Sequence, residues 1–145
     1  MIKIKIPATS ANLGAGFDAL GLALSYYNYV NMEEADGCHI KSLDDTEIPT
    51  DETNLIYHTA KTVYEICGKD FKGLTIEQTN HIPMARGLGS SSACIIAGLV
   101  GANHLMGNPL SLDEMVNLSA PIEGHPDNTA PALLGGIVTA VFDGK

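Results

Sequence analysis

A turn rich in glycine and serine, Gly87–Ser92, constrains the fold most because it leads directly into a run of small apolar residues. Glycine lets the backbone take positive φ angles, and the serines suit the start of a helix. The pattern predicts a helix from Ser91 or Ser92 to about His104. Small residues such as Ala97 would let this helix pack closely against a sheet.

The segments before this turn predict strands and one further helix. Isoleucine alternates with lysine over Ile2–Ile6, which indicates a half-buried strand that Pro7 ends. A second extended segment runs from Leu20 to Ala35. An apolar stripe over Asn54–Cys67 predicts a helix with Gly68 at its carboxyl end.

A short strand is predicted around Leu74 and Ile76, before the glycine turn. The segments after the turn predict one more helix and one more strand. Ser111 and Glu114 form a capping box at the start of a helix. We expect that helix to stop near Ala120, because Pro121 disfavours helical geometry in the residue before it. Residues 136–142 read as a buried strand. Strands mixed with three helices predict an α+β domain.

Composition narrows the class of protein. Seventeen acidic against eight basic residues give a formal net charge of −9. Such a surface repels phosphate backbones and anionic lipids, so we expect neither nucleic acid nor a membrane as a partner. Three scattered cysteines without a C-x-x-C pair indicate reduced thiols. With no signal-peptide pattern at the start, the expected location is the cytoplasm.

The glycine turn also has a chemical interpretation. Loop amides together with a helix N-terminus form a cradle for phosphate, and serine hydroxyls can reach a phosphate oxygen or a magnesium ion. The turn is not a Walker motif, since no lysine follows Gly89, and its glycine spacing differs from a dinucleotide fingerprint. A serine-capped helix after a flexible turn explains these residues about equally well.

Two other segments concentrate polar groups. Pro7–Asp18 offers the amide of Asn12 and the carboxylate of Asp18 among small residues. These groups suit the hydroxyl, carboxylate or ammonium of an amino acid, although turn stabilisation explains them too. Glu123–Asn128, with the sequence E-G-H-P-D-N, places two carboxylates, an imidazole and an amide just before an apolar strand. A solvated hairpin loop is the alternative there.

The string Pro-x-x-x-Gly-Leu-Gly-Ser-Ser-Ser-Ala, residues 83–93, resembles the ATP-binding motif of the GHMP kinases. The resemblance implies a domain like ribosomal protein S5 domain 2 with a left-handed βαβ crossover. It implies ATP contacts along the motif and an adenine contact at Asn54, although an asparagine that starts a helix explains Asn54 equally well. It implies Mg²⁺ contacts at Glu123 and Ser91, with Ser90 and Ser92 as alternatives to Ser91. A proline at position 121 departs from the family pattern and weakens the Glu123 assignment. The implied ATP-binding residues of the motif are Pro83, Met84, Ala85, Arg86, Gly87, Leu88, Gly89, Ser90, Ser91, Ser92 and Ala93.

Residues 7–18 and E-G-H-P-D-N are similar to the homoserine-kinase branch of this family. That similarity implies ATP-dependent phosphorylation of the side-chain hydroxyl of L-homoserine, a step of threonine biosynthesis. Alternatives are a GHMP kinase for another small alcohol and a non-catalytic nucleotide-binding module. The implied substrate-binding residues are Asn12, Asp18, His125 and Asp127, and the implied catalytic residues are His125, Asp127 and Asn128.

The resemblance also bears on domain organisation. Residues 1–145 match the N-terminal domain of the GHMP kinases, and the family's C-terminal domain is absent from these residues. In the family that second domain contributes to the substrate cleft, so the chain alone is expected to act slowly or not at all. A homodimer is compatible with the resemblance.

Overall fold

The computed structural model describes residues 1–16 and 19–141 of the chain. They form a five-stranded mixed sheet and four helices, which confirms the predicted α+β class. The elements are β1 (Ile2–Ala11), β2 (Leu20–Glu34), β3 (Gly37–Ser42), α1 (Leu55–Ile66), β4 (Gly73–Thr79), α2 (Ser90–Leu105), α3 (Leu112–Glu123), α4 (Pro126–Leu134) and β5 (Ile137–Thr139), with a 3-10 turn at Gly14–Gly16 after β1.

The sheet has the strand order β1-β2-β4-β3, and β5 pairs with the first residues of β2. Only β3 and β4 pair in parallel, and the chain between them includes α1. This unit is a βαβ crossover, and its left-handedness stays a prediction. Lys3 and Lys5 are exposed on β1, whereas Ile6 is buried against the helical side.

Helix α2 is the central helix and packs against α1, α3, α4 and β1. A Cβ atom at Gly98 would lie 2.6 Å from the carbonyl oxygen of Ile56 on α1. A Cβ at Gly101 would lie 2.6 Å from the sulfur of Met32 on β2. Both distances are too short for a side chain. Gly101 therefore lets α2 pack closely against the sheet, as predicted, whereas Gly98 packs against α1 and not against the sheet. The helix begins at Ser90, slightly earlier than expected.

Two prolines do not end their elements as predicted. β1 continues through Pro7 to Ala11, because β1 is an edge strand whose register shifts between Pro7 and Thr9. Proline is tolerated at such positions, since no ladder hydrogen bond is lost there. Helix α3 continues past Pro121 to Glu123. Tertiary contacts hold this last turn, in which Ala120 is buried.

Three further predictions need correction. A fourth helix, α4, begins at Pro126, where the sequence suggested a loop; proline suits the first turn of a helix. Strand β3 was missed, because its pairing with β4 is a non-local contact. The predicted buried strand over residues 136–142 is the short β5, in which Ile137 is 72% exposed. An apolar run in the sequence does not show whether other elements cover one face of the strand or both.

Candidate active site

The glycine turn has the backbone geometry that its sequence suggested. Gly87 and Gly89 have φ angles of 69° and 67°, and Ala85 also has a positive φ. Gly89 takes the left-handed conformation at the N-cap position of α2. Having no side chain, it cannot cap the helix, and the first main-chain amides of α2 have no partner one turn earlier in the helix. The turn therefore presents amide hydrogens and the positive end of the helix dipole.

Side chains of the glycine turn contact the end of α3. The hydroxyls of Ser91 and Ser92 donate to the two carboxylate oxygens of Glu123, over 3.3 Å and 3.1 Å. Ser91 is exposed and Ser92 is fully buried. The fold thus brings together a carboxylate and two hydroxyls that are more than 30 residues apart in the sequence.

The E-G-H-P-D-N segment is the corner between α3 and α4. Gly124 ends α3 in a left-handed conformation, and His125 occupies the N-cap position of α4. Asp127 is only 3% exposed, and its Oδ1 has no hydrogen-bond partner among the residues that the structure describes. The Nδ1 atom of the exposed His125 lies 3.5 Å from that oxygen. A buried carboxylate oxygen that makes no hydrogen bond is costly, so a donor group from a ligand would be favourable there.

Asn128 connects this corner to the glycine turn through β1. Its Oδ1 accepts a hydrogen bond from the hydroxyl of Thr9 over 2.8 Å. The main-chain amide of Thr9 donates to the carbonyl oxygen of Leu88 over 3.0 Å. The glycine turn and the α3–α4 corner are separate motifs in the sequence, and Thr9 connects them in the candidate site.

Beside the start of α2 lies a cavity of about 290 Å³ with mainly apolar walls. Asn54 lines it, but its amide is already engaged within the protein. Its Oδ1 accepts from the amides of Ile56 and Tyr57, and its Nδ2 donates to Gln78 Oε1 and to the carbonyl oxygen of Pro49. Asn54 therefore shapes the wall and caps α1.

Cys94, one turn into α2, also lines this cavity. Burial, and to a lesser degree the carboxylate of Glu123, raise the pKa of the Cys94 thiol to about 11. The thiol therefore stays neutral at physiological pH, which suits an apolar wall.

The other predicted site residues lie around the turn and in the first motif. Pro83, Met84 and Arg86 are exposed on the loop that leads into the turn. Asn12 is exposed and has a positive φ of 57°, a conformation that asparagine tolerates better than most residues. Asp18 lies outside the described residues.

Sequence reasoning did not single out Thr9, Gln78 or Cys94. Thr9 belongs to the first motif, but a threonine in a strand carries no signal of its own until its partners are known. Gln78 and Cys94 read as ordinary strand and helix residues. Only the packing of β4 and α2 around the cavity brings them to the site.

No cluster of three or more histidine, cysteine, aspartate or glutamate side chains that could hold a metal occurs in residues 1–16 and 19–141. Glu123 with its two serine hydroxyls is a smaller set of oxygen donors. Within the same part of the chain, no helix is long and apolar enough to cross a membrane.

Residues 54–136 match the family model described as the GHMP kinases N terminal domain. This match includes the glycine turn, the α3–α4 corner and most of the residues that line the cavity. It covers more than half of the chain, and the chain belongs to the GHMP kinases as an N-terminal domain of that family.

Among its relatives, homoserine kinases are prominent. The chain is 50% identical over 147 residues to homoserine kinase from Caldicellulosiruptor bescii, an alignment that covers 100% of this chain and 48% of the relative. A solved structure described as a homoserine kinase from Listeria monocytogenes superposes with a TM-score of 0.84 at 46% identity, and it covers 99% of this chain and 51% of that one. The chain thus spans about half the length of the curated relatives it matches.

A mevalonate kinase superposes with a TM-score of 0.77 at 16% identity, over 99% of this chain and 57% of that chain. At this identity the likeness shows the fold alone.

Proposed function

We propose that this chain is the phosphate-binding part of an ATP-dependent kinase that phosphorylates the side-chain hydroxyl of homoserine. The observation that carries the proposal is the meeting of two motifs at one site. The start of α2 contacts Glu123 through Ser91 and Ser92, and Thr9 holds Asn128 against the same loop. The similarity to homoserine kinases supports the choice of substrate.

In this proposal the glycine turn binds the triphosphate of ATP through main-chain amides. Phosphoryl transfer depends on positioning and on charge neutralisation, which the amides and the dipole of α2 supply. The mainly apolar cavity beside Ser90 and Ser91 suits the adenine ring. Asn54 would contact the base by van der Waals packing only, because its hydrogen-bonding groups are already used within the protein.

Mg²⁺ fits the pair of Ser91 and Glu123. Magnesium prefers oxygen ligands and commonly takes one or two protein carboxylates beside substrate phosphates and water. The Ser91 hydroxyl and the Glu123 carboxylate are in hydrogen-bond contact, so both can reach one ion after a small rearrangement. When bound, the ion would neutralise charge on the transferred phosphoryl group.

Homoserine would bind at the α3–α4 corner. The Asp127 oxygen that makes no hydrogen bond within the described part of the chain is an acceptor for the substrate's ammonium or hydroxyl group. His125 beside it is exposed and able to contact the ligand, and Asn128 would donate to the phosphoryl group. Asn12 and Asp18 would complete the substrate site from the first motif.

The proposal extends to domain organisation, cellular location and oligomeric state. The curated relatives are about twice as long as this chain, so we propose that activity requires a C-terminal domain in addition to residues 1–145. The proposed reaction uses small polar metabolites, and the cytoplasm stays the expected location. A homodimer stays a prediction.

The test is coupled ADP release with Mg²⁺-ATP and a panel of alcohols: homoserine, serine, threonine, mevalonate and galactose. The protein should contain this chain together with its natural flanking sequence. We expect the highest kcat/KM for homoserine and ADP release close to background without an alcohol. A higher kcat/KM for another alcohol would replace the substrate. An absence of Mg²⁺-ATP binding in calorimetry would overturn the kinase assignment itself.

A further inference from the structure

Thr9 on β1 lies where the two motifs of the site meet. Its side chain is fully buried, at 0% exposure. Its main-chain amide donates to Leu88 in the glycine turn, and its hydroxyl donates to the side chain of Asn128 on α4. One residue therefore links three elements, and it is not among the residues to which the proposed function gives a binding or catalytic role.

A break in the regular alternation of β1 turns Thr9 inward. Ile6 and Ala8 are buried while Pro7 between them is not, as expected for a strand with one covered face. Thr9 directly after Ala8 is buried as well, because the register with β2 shifts between Pro7 and Thr9. A bulge of this kind redirects the side chains that follow it. The hydroxyl is thereby directed under the glycine turn.

The space that the hydroxyl occupies depends on Gly89. A Cβ atom at Gly89 would collide with Thr9 Oγ1, and it would lie 3.3 Å from Asn128 Oδ1. The missing side chain of Gly89 therefore leaves room for the Thr9–Asn128 hydrogen bond. The three residues are therefore in direct contact with one another.

The hydrogen bond also orients the amide of Asn128. Thr9 Oγ1 donates to the Oδ1 atom, so both hydrogens of Nδ2 are left for other acceptors. A donor is the polarity that a negatively charged phosphoryl group requires. Without the Thr9 hydroxyl, the Asn128 amide could rotate and present its oxygen instead.

We propose that the Thr9 hydroxyl is a positioning group that locks Asn128 to the glycine turn, so that the Asn128 amide and the loop amides act on the same phosphoryl group. The proposal rests on the proposed function for its kinetic consequence. Its structural content, the coupling between Thr9 and Asn128, stands without it.

The kinetic test compares Thr9→Val, which removes the hydroxyl, with Thr9→Ser, which keeps it. The protein should carry its natural flanking sequence, and the substrate is the alcohol that it uses best. We expect Thr9→Val to lower kcat about 10- to 100-fold, the effect of misplacing a catalytic group by about 1 Å. KM for ATP should change less than about threefold, because the main-chain bond from Thr9 to Leu88 remains. Thr9→Ser should keep kcat within about threefold of the wild type, since its hydroxyl still donates to Asn128.

Thr59→Val is the matched control. Thr59 on α1 is also buried, at 1% exposure, and its hydroxyl has no hydrogen-bond partner among residues 1–16 and 19–141. The same chemical change there should leave kcat unaltered. Equal losses in Thr9→Ser and Thr9→Val, or a full kcat in Thr9→Val, would overturn the positioning role.

A second measurement separates this proposal from the proposed function. Tm is measured for Thr9→Val, Asn128→Ala and the double variant, with no substrate present. We expect the Tm loss of the double variant to be smaller than the sum of the two single losses, since both remove the same contact. Additive losses would overturn the lock. Non-additive losses in a protein that phosphorylates no alcohol would retain the lock and reject the kinase.

Discussion

The N-termini of the four helices fall into two groups. α1 and α3 are capped by side chains: Asn54 accepts from two amides of α1, and Ser111 forms the capping box with Glu114 at α3. α2 starts at Gly89, which has no side chain to offer. α4 starts at His125, whose side chain caps no amide in the described structure.

The capped helices gain stability from their caps, whereas the uncapped helices have N-terminal amides that suit ligand binding. A cap satisfies amides that would otherwise lack partners, and it typically stabilises a helix by about 1 kcal/mol. The two helices without such a cap are the ones whose N-termini meet at the candidate site, through Thr9 and Asn128. No side chain caps these two helices, so their first amides remain able to bind a ligand. The same two helices lack the stability that a cap provides.

Gly89→Val should have the largest effect. Its Cβ would collide with Thr9, and the positive φ is unfavourable for valine, so the loop must leave its position. Overpacking and the left-handed backbone together cost about 3 kcal/mol, which is roughly a 100-fold loss of ATP affinity in calorimetry.

Gly87→Ala is the control for this variant. Gly87 has a similar φ of 69°, but no atom lies within 4 Å of its added Cβ among the described residues. Only the backbone strain of about 1 kcal/mol remains, so ATP affinity should fall less than about tenfold. Unchanged ATP affinity in a folded Gly89→Val protein would show that α2 does not bind phosphate.

Asp127→Asn should affect the amino-acid substrate and not the nucleotide. Losing one charge-assisted hydrogen bond costs about 1.5–3 kcal/mol, which should raise KM for homoserine roughly 10- to 150-fold. The free energy of unfolding should change by less than about 1 kcal/mol, since the buried Oδ1 makes no hydrogen bond in residues 1–16 and 19–141 and would lose only its 3.5 Å pairing with the exposed His125. Asp113→Asn, at the exposed start of α3, is the charge-matched control and should be kinetically silent. Equal effects on KM for homoserine and for ATP would contradict the assignment.

Glu123→Gln should weaken Mg²⁺-ATP binding roughly tenfold, the loss of about 1.4 kcal/mol expected when one charged ligand becomes neutral. A magnesium titration should restore part of the rate, because a higher ion concentration compensates for weaker binding. Glu65→Gln, exposed on α1, serves as control. The metal assignment fails if the rate of Glu123→Gln does not depend on magnesium any differently from that of the wild type.

Ser111→Ala should lower the stability of the protein without affecting ATP binding. It removes a cap from α3, so the free energy of unfolding should fall by about 1 kcal/mol while ATP affinity stays unchanged. A hydrogen bond from the main-chain amide of Ser111, and then one from its hydroxyl, lower the pKa of Glu114, so the stability from this carboxylate is present above its unfolded pKa of about 4.3. That stability is lost as pH falls through the lower folded value. Ser111→Ala keeps the main-chain hydrogen bond, so the Tm difference between the variant and the wild type should shrink there only by the share that the hydroxyl contributes. A loss of ATP affinity in this variant would mean that α3 also serves the site.

The sequence by itself determined the elements whose signals are local. Helix α1 follows from its apolar stripe and from its cap at Asn54, and α3 begins at Ser111 because the capping box needs only neighbouring residues. The start of β1 follows from alternating isoleucine and lysine. The glycine turn was predicted to be a phosphate cradle because positive φ angles and free helix amides are properties of a short segment, and the positive φ angles of Gly87 and Gly89 are confirmed.

Tertiary structure decided what depends on distant partners. Pro7 and Pro121 did not end their elements, because an edge position in one case and packing of the last turn in the other offset the local penalty. Which polar residues share a site was also decided there. Thr9 meets Asn128 across 119 positions in the sequence, and a hydrogen bond of that kind exists only once the sheet and helices have packed.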